Sequence, residues 1–581
     1  MITTDDATRN GSYMRREQKW MSNTGGTRAL VALLFLTAVT AVAASGTTRP
    51  NILLLVAEDM SPRVGAFGDA VAVTPTLDRL ASEGVRFNNV FTAAGVCAPS
   101  RAAQITGMHP ASIGAQHMRA ANGPAGSYKA VPPAKVKAYP ELLRAAGYFT
   151  FTDDKLDYQF SQIRPGTGPF TIWDREGGEA SWSQREDEQP FFGLINFLQT
   201  HESGVFPPLE TRQLTGKFLN FQRYRAEHYG NPDANPFVTP DQVEVPPYYP
   251  DVATVRVDIA RHYNNIALMD LQVRDVLDRL ERDGLASNTI VIWTTDHGDG
   301  LPRAKREIFD SGIKVPMIIR WPERYRPAHL EPGQIDEQMI SFVDLAPTIL
   351  ALAGVETPDY LPGQNYLDPS LPRRQYIFAS RDRMDAVADR QRAVRDQHYK
   401  YIRSWHPQQP GGHRLAYRDN ITMMQTLWEM LEAGQLNADQ RRWFEPPGEE
   451  QLYDLLADPF ELNNLAHSAA HQTTLNRLRA ALAVWQQNNL DWSEQPETAM
   501  IAAFWPQGEQ PITATPDFHP HALLLSIQSE TPGTSLGYRQ NGGGWKVYSA
   551  PITVLPGDKI DAKAIRYGWQ ESAVTSLQIP E

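Results

Sequence analysis

The chain of 581 residues contains a single cysteine, Cys97, and this scarcity excludes two kinds of protein. One thiol cannot form a disulfide within the chain, and zinc sites built from cysteine clusters need several such ligands. A lone cysteine is as readily a small buried apolar residue as a reactive one. The residues around Cys97 must therefore decide between these two interpretations.

Basic residues are too few for a protein that binds nucleic acid through its overall charge. Lys and Arg number 55 against 67 for Asp and Glu, which gives a formal net charge of −12. Nonspecific binding to a phosphate backbone requires the opposite sign, so we expect no nucleic-acid partner. A local basic pocket for an anionic substrate is compatible with this balance. The 41% of hydrophobic residues exclude a disordered chain.

Long hydrophobic runs are also scarce, and the one near the N-terminus predicts export. The apolar run 29–42 ends in small residues and is preceded by the basic residues Arg15, Arg16, Lys19 and Arg28. This order is typical of a signal peptide, which we place at residues 1–43, and it predicts a periplasmic or secreted protein. An uncleaved anchor is the alternative, but the run is shorter than the roughly 20 residues of a membrane span. No second run approaches that length, so we expect no stable membrane insertion.

Strand and helix patterns alternate between residues 51 and 322, which predicts an α/β domain. Continuous apolar runs, typical of strands buried on both faces of a parallel sheet, occur at 52–57, 191–198, 289–295 and 315–320. Helical patterns lie between them at 139–146 and 259–282, the second with a clear apolar stripe. We therefore predict a mostly parallel sheet with helices on both faces over residues 47–370.

Two smaller units are predicted after this domain. A stretch rich in proline and glycine at 361–374 indicates a linker, and an α+β subdomain is predicted over residues 371–505. Short strands between Gly-rich and Pro-rich turns then predict a small β-sandwich over residues 515–581.

Polar residues follow several of the predicted strands, where open α/β sheets place their chemistry. Four strand ends carry such residues: Glu58-Asp59, Asp153-Asp154-Lys155, His201 and Asp296-His297. Any one of them alone could be a solvated strand end, but four at one edge indicate a site. Oxygen ligands from Glu58, Asp59 and Asp296 favour a hard divalent cation such as Ca²⁺ or Mg²⁺.

The segment Cys97-Ala98-Pro99-Ser100-Arg101 begins a predicted helix, with Pro99 suited to the first turn. A cysteine there usually indicates an activated thiolate, which suits an exported chain poorly. The segment resembles the signature of type I sulfatases, a family with an alkaline-phosphatase-like fold whose cysteine is oxidised to Cα-formylglycine before export. The resemblance extends over residues 50–470 and includes the segments 51–59, 74–87, 296–316 and 452–465.

This resemblance implies a mechanism and a set of site residues. A maturation enzyme would convert Cys97 to formylglycine, whose hydrate would attack sulfur with the help of Ca²⁺ or Mg²⁺. The implied metal ligands are Glu58, Asp59, Cys97, Asp296 and His297. The implied catalytic residues are Cys97, Arg101, Lys155, His201, Asp296 and Lys305.

The resemblance implies that the catalytic residues stabilise negative charge on the sulfate group and transfer protons during the reaction. Arg101, Lys155 and Lys305 would neutralise the sulfate group and the charge that grows on it. His201 would protonate the leaving oxygen, and Asp296 would accept a proton from the nucleophile.

Three positions depart from the family pattern. Many relatives have two aspartates where this chain has Glu58-Asp59, and the usual asparagine is here His297; metal binding is expected with both changes. The third departure affects the expected substrate contacts. Relatives often have a histidine two residues after the lysine matched to Lys155, whereas this chain has Asp157, and His117 is a candidate substitute. We expect His117 and Arg383 to bind substrate. For Arg383 the reason is that arginine binds carboxylates through two hydrogen bonds. A surface salt bridge is the alternative role for such an arginine.

At a finer level the sequence resembles exported bacterial sulfatases of the heparan N-sulfatase-like group, which includes enzymes that act on sulfated polysaccharides such as ulvan. This resemblance implies a sulfatase whose partner is a sulfated glycan, either a polysaccharide or an oligosaccharide. A phosphodiesterase or phosphonate hydrolase of the same superfamily and a catalytically silent glycan-binding protein remain open. The terminal segment resembles the chitobiase C-terminal type of β-sandwich, for which we expect a structural role, with glycan contact as the alternative.

Overall fold

The structure is a computed structural model that describes residues 49–120, 123, 125–207, 217–234 and 236–581. The predicted signal peptide, residues 1–43, lies outside the described residues. Within the ranges just given, no helix is both long enough and apolar enough to cross a membrane.

A sheet of eight strands forms the centre of the large domain. Its strands are β1 (Asn51–Ala57), β2 (Val85–Phe91), β3 (Phe149–Thr152), β4 (Arg175–Glu176), β5 (Phe191–Phe197), β6 (Thr289–Thr295), β7 (Lys314–Arg320) and β8 (Ile335–Ser341). Their spatial order is β4-β3-β5-β1-β6-β7-β2-β8. Among these eight strands β7 alone is antiparallel to both neighbours, so the predicted mostly parallel sheet is confirmed.

Helices cover both faces of this sheet, as predicted. In chain order they are α1 (Pro75–Glu83), α2 (Cys97–Thr106), α3 (Tyr139–Ala145), α4 (Lys217–His228), α5 (Ala253–Arg282), α6 (Asp310–Ile313) and α7 (Leu345–Leu352). Leu54 of β1 packs in a core with α2, α3 and α7, whereas the next residue, Leu55, packs with α1 and α5. Burial on both faces explains why β1 is apolar throughout its length.

A second, antiparallel sheet follows the predicted linker. Its strands are β9 (Ile377–Arg381), β10 (Gln391–Arg395), β11 (Tyr399–Ser404) and β12 (Glu450–Asp454), in the order β12-β11-β10-β9. The helices of this region are α8 (Thr422–Glu432), α9 (Ala438–Arg441), α10 (Gln472–Asn488) and α11 (Glu497–Phe504). Helix α10 covers one face of the sheet, and the other face packs against Phe91 and Ile313 of the large domain.

Seven short strands complete the chain as two small antiparallel sheets. They are β13 (Asp517–His521), β14 (Leu524–Gln528), β15 (Ser535–Gln540), β16 (Lys546–Val547), β17 (Ile552–Thr553), β18 (Lys559–Ile565) and β19 (Thr575–Gln578). Sheets β13-β14-β17 and β16-β15-β18-β19 enclose a common apolar core. The fully buried Tyr567 donates its hydroxyl to Glu141 of α3 at 2.8 Å. This unit therefore packs against the large domain, in agreement with a structural role.

One contact between the large domain and α10 predicts sensitivity to acid. Nε2 of the buried His109 accepts a hydrogen bond from Trp485 Nε1 at 3.2 Å. Burial, together with the charges of Arg374 and Arg392, lowers the pKa of His109 to about 3. An unfolded histidine takes up a proton near pH 6.5. The stability that the neutral ring contributes is therefore fully present above pH 6.5 and is lost progressively as the pH falls from 6.5 towards 3.

The variant His109→Gln has no proton to take up in this range. Between pH 7 and pH 5 we expect it to lose about 2 kcal/mol less unfolding free energy than the wild type. Urea unfolding at the two pH values measures the difference, and the exposed His519→Gln is the matched control. Equal losses in wild type and His109→Gln would contradict the prediction.

Candidate active site

The carboxyl ends of three strands meet where α2 begins. Glu58 and Asp59 directly follow β1, Asp296 directly follows β6, and Cys97 is the first residue of α2. Ala57, the last residue of β1, lies opposite the last residues of both β5 and β6. The strand ends are thus side by side, and the structure brings these four polar residues to one edge of the sheet.

Asp59, Cys97, Asp296 and His297 form a buried group of candidate metal ligands, called the Cys97 group below. One ligand atom from each lies within 4.8 Å of all the others. Cys97 Sγ is 3.3 Å from His297 Nε2, which in turn is 3.0 Å from Asp59 Oδ1. All four residues are fully buried. Four of the five predicted metal ligands are therefore together in one group.

Glu58, the fifth predicted ligand, borders this group. It lies with His201 in a second, overlapping set of candidate ligands that also includes Asp59 and Cys97. Its Oε2 accepts a hydrogen bond from Lys155 Nζ at 2.5 Å, and its Oε1 accepts one from Arg101. Both carboxylate oxygens therefore contact cationic side chains.

Arg101 connects the ends of three strands. Its side chain is 1% exposed and pairs with Glu58 after β1. Its Nε donates to Asp296 Oδ2 after β6 at 3.2 Å, and its Nη1 donates to Asn196 Oδ1 on β5 at 2.5 Å. The guanidinium thus holds two carboxylates at fixed positions beside Cys97.

Neighbouring charges set the protonation states of the buried carboxylates and lysines. Burial raises the pKa of Asp59, but Lys305, His201 and His297 outweigh it and hold that pKa well below its ordinary value. Burial lowers the pKa of Lys305, but Asp59 and Cys97 outweigh it and raise that pKa well above its ordinary value. Lys305 Nζ donates to Asp59 Oδ2 at 2.5 Å. The carboxylate is therefore ionised and the lysine protonated at neutral pH.

The hydrogen bonds of His297 determine which of its nitrogen atoms faces the Cys97 group. Nδ1 lies 3.0 Å from the carbonyl oxygen of Gly298, which can only accept, so Nδ1 carries a proton. Nε2 therefore bears the lone pair when the ring is neutral. Burial lowers the pKa of His297, but Asp296 and Asp59 outweigh it and raise that pKa well above its ordinary value. Carboxylate oxygens with one imidazole are a donor set that fits a divalent cation.

His201 is oriented by the turn that follows it. Its Nδ1 accepts the backbone N–H of Ser203 at 3.4 Å and is 2.9 Å from the Ser203 hydroxyl. Nε2 lies 4.0 Å from Glu58 Oε2. Burial and the charge of Lys305 lower the pKa of His201 well below its ordinary value, although Asp59 opposes them. The neutral ring therefore carries its proton on Nε2, from which it can donate a hydrogen bond to a bound oxygen.

The two predicted substrate-binding residues lie outside both sets of candidate ligands. The Arg383 backbone N–H donates to His117 Nδ1 at 3.3 Å, so these residues contact each other. The Arg383 side chain is 4% exposed and donates through Nε and Nη2 to the carboxylate of Glu497 on α11, both at 2.7 Å. Nη1 donates to the Met118 carbonyl oxygen at 2.9 Å. This guanidinium is committed to contacts within the chain.

Sequence reasoning missed three residues that support the site. Asn196 accepts from Arg101 and donates its own backbone and side-chain N–H groups to Asp153, each at 2.6 Å. Burial raises the pKa of Asp153 to about 6, against the effect of the Asn196 hydrogen bonds. Asn196 lies inside an apolar strand, so no pattern in the sequence marks it.

Glu202 and Arg306 are the other two missed residues. The Glu202 backbone N–H donates to Asp59 Oδ2 at 2.7 Å, and its carboxylate accepts two hydrogen bonds from Arg306 at 2.7 and 2.8 Å. Their only signal in the sequence is position, since they directly follow His201 and Lys305.

Comparisons with known proteins identify the family. The family described as sulfatase matches residues 50–355, and the family described as N-sulphoglucosamine sulphohydrolase, C-terminal, matches residues 303–411. An ulvan-active sulfatase of Formosa agariphila is 40% identical over an alignment of 554 residues that covers 91% of each chain. Human N-sulphoglucosamine sulphohydrolase is 28% identical over 502 residues, 79% of this chain and 94% of that one.

A solved structure shows that the fold is shared as well. It contains a protein in complex with its substrate, D-glucosamine-2-N,6-O-disulfate, and covers 78% of this chain and 99% of that one. The TM-score is 0.52 at 17% sequence identity. The resemblance inferred from Cys97-Ala98-Pro99-Ser100-Arg101 is thereby confirmed. The chain belongs to the sulfatase family and is a sulfuric ester hydrolase.

Proposed function

We propose that this enzyme hydrolyses sulfate esters of a sulfated polysaccharide or oligosaccharide, such as ulvan or a glycosaminoglycan. The proposal depends mainly on the Cys97 group, which places the family's modifiable cysteine among buried carboxylates and beside Lys155 and Lys305. The substrate class is supported by the relatives, one ulvan-active and one acting on N-sulphoglucosamine by its name.

The proposal includes two groups that the chain itself does not encode. The cation would be Ca²⁺ or Mg²⁺, held by Asp59, Asp296, His297 and residue 97, with Glu58 at the border of the site. The formylglycine made from Cys97 would supply the nucleophile, and the bound cation would supply the positive charge that activates it.

The side chains around the group bind the substrate and move protons. Lys155 and Lys305 bind the sulfate oxygens and offset the negative charge that grows as the S–O bond breaks. His201 is the proposed general acid, which in its protonated form would donate the proton on Nε2 to the leaving oxygen and return to the neutral ring. Asp296 is the proposed acceptor of the proton that the nucleophile loses. Arg101 positions the Asp296 carboxylate through its Nε.

We further propose that the protein is exported to the periplasm or secreted and that a formylglycine-generating enzyme matures it. Two features of the sequence support this proposal. Residues 1–43 have the order of a signal peptide, and the one cysteine of the chain lies in the family's signature segment. A solitary thiol, which is readily oxidised, would otherwise be unusual in an oxidising compartment.

The proposed function is tested by the mass of the tryptic peptide 87–101 from protein made in its native host, measured together with turnover. We expect the mass of an aldehyde in place of the thiol and faster hydrolysis of an aryl sulfate than of an aryl phosphodiester. A preference for the diester would favour a phosphodiesterase or phosphonate hydrolase. Unmodified Cys97 without turnover, but with retained glycan affinity, would favour a silent glycan-binding protein.

Removal of the divalent cation is expected to stop turnover and to lower the melting temperature. A cation that binds only the folded state stabilises it by about 3 kcal/mol at a hundred times its dissociation constant. After dialysis against a chelator we expect kcat to fall by about 100-fold or more. The ion that restores it at the lower concentration, Ca²⁺ or Mg²⁺, is the preferred metal.

A variant that lacks one proposed ligand provides the control for this measurement. The melting temperature of Asp296→Asn should respond much less to added cation than that of the wild type, because one carboxylate of the Cys97 group is lost. Full turnover of the wild type in excess chelator would contradict the metal assignment.

A further inference from the structure

A cavity of about 410 Å³ is lined in part by the segment that follows the proposed sulfate-binding Lys155 in the chain. Its size is in the range of pockets that hold small ligands, roughly 300 to 1,000 Å³. We call it the Arg119 cavity, and its polar and aromatic lining includes Arg119, Tyr128, Lys129, Asp157, Arg164 and Trp505. None of these residues has a role in the mechanism proposed above.

Two observations connect this cavity with the Cys97 group. Asp157 follows the proposed sulfate-binding Lys155 by two positions in the chain. Val96 and Ala98, on either side of Cys97, pack in one buried cluster with Met118, the residue that precedes Arg119. Arg119 is therefore close to residue 97.

The charges that line the Arg119 cavity are mostly positive. Arg119 Nη1 donates to Asp157, while its Nε and Nη2 bond to no residue in the part of the chain that the structure describes. Its side chain is 24% exposed. Arg164 is exposed and pairs with no described acidic residue, and Lys129 Nζ donates to the Thr167 carbonyl oxygen at 2.9 Å. Three cations against one carboxylate favour an anionic ligand.

Two buried oxygen atoms in the lining lack hydrogen-bond partners among the described residues. They are Asp157 Oδ2 and Tyr128 Oη, in side chains of residues that are 3% and 2% exposed. Buried polar atoms of folded proteins nearly always have a partner, so these two indicate a ligand or ordered water. Sugar hydroxyls satisfy both, since a hydroxyl can donate to Asp157 and accept from Tyr128. The ring of Trp505 adds an apolar surface to the same lining.

We propose that the Arg119 cavity binds a sugar residue that carries a second anionic group, and that Arg119 determines this specificity. The inference rests on the proposed function and deepens it by naming the chemistry of the substrate. Arg119 binds the anionic group through the nitrogen atoms that Asp157 does not occupy. Asp157 holds Arg119 in place and accepts a sugar hydroxyl at Oδ2. The anionic group is a carboxylate or a second sulfate.

The test compares matched oligosaccharides that differ in one anionic group. The first pair has a uronic acid in one member and its carboxyl-reduced form in the other. The second pair has one member with a second sulfate and one without it. We expect the wild type to prefer the anionic member of one pair by about 30-fold in kcat/KM, which corresponds to about 2 kcal/mol. The pair that shows this preference identifies the anionic group.

Substitution of Arg119 should abolish that preference. In Arg119→Gln we expect it to fall below about threefold, and in Arg119→Lys we expect an intermediate value, because the charge remains but the planar fork is lost. The control is Arg274→Gln, whose side chain is 49% exposed on α5 and pairs only with the adjacent, exposed Asp275 among the described residues. It should keep the preference of the wild type.

Three results would overturn the inference, and they differ in what they say of the proposed function. If the wild type hydrolyses an aryl sulfate but prefers neither anionic oligosaccharide, or if Arg119→Gln keeps the preference, the cavity is not the specificity site and the sulfatase function stands. If the wild type hydrolyses neither aryl sulfate nor sulfated oligosaccharide, both proposals fail.

Discussion

Replacing Cys97 with alanine is expected to reduce sulfate ester turnover by about 10⁴-fold or more. The proposed nucleophile is made from this side chain, and the chain has no second cysteine that could replace it. The fold should survive, because alanine is small and apolar and residue 97 is fully buried at the start of α2. The comparison requires kcat/KM for an aryl sulfate and urea unfolding of both proteins. Cys97→Ser, which keeps the size of the side chain, should be equally inactive.

The single cysteine also allows the modification to be counted. Any thiol that reacts in denatured protein belongs to an unconverted Cys97. Across preparations that differ in maturation, turnover per chain should therefore fall in proportion to the thiol content and reach zero at one thiol per chain. A preparation with one free thiol per chain and full turnover would exclude the formylglycine mechanism.

The sequence predicts those elements whose burial follows a simple period. β1 is apolar throughout because Leu54 and Leu55 face two different cores, and α5 shows one stripe because one face is buried. Helix α5 nevertheless begins at Ala253, before the predicted start at residue 259, because the buried Val255 extends the same face by another turn.

Strands whose charged residues are buried in ion pairs cannot be predicted from the period of apolar residues. β10 has the sequence QRAVR and all five of its residues are buried. Arg392, fully buried, is held by the carboxylates of Asp382 and Asp491. Since those partners come from other segments, the polar residues of β10 indicate solvent exposure when the sequence is considered alone.

The active-site edge was predictable because topology, and not side-chain pattern, brings its residues together. Residues at the carboxyl ends of neighbouring parallel strands must meet, and this places Glu58 beside Asp296. The role of a residue that depends on a partner from a distant part of the chain cannot be predicted in this way. Arg383 resembles a substrate-binding arginine in the sequence, yet Glu497, far along the chain, occupies its guanidinium. Only the tertiary structure supplies that partner.

Arg101 is expected to contribute both to stability and to catalysis at the carboxyl edge of the large sheet. Its guanidinium joins Glu58, Asp296 and Asn196, which follow or lie in three different strands, and its side chain is 1% exposed. Burial lowers the pKa of Arg101, but Glu58 and Asp296 outweigh it and raise that pKa, so the group stays charged. Removing one member of such a buried network leaves the others without compensation.

Arg101→Ala is therefore expected to lose about 3–5 kcal/mol of unfolding free energy and about 10³-fold in kcat/KM. Arg101→Lys keeps the charge but cannot reach three partners, so it should lose less stability while turnover still falls by about 10²-fold. Urea unfolding and aryl sulfate kinetics separate the two effects. The exposed Arg274→Ala should change neither quantity. Wild-type stability in Arg101→Ala would mean that the guanidinium does not hold the strand ends together. The catalytic loss in Arg101→Lys would then have to come from a direct contact with substrate.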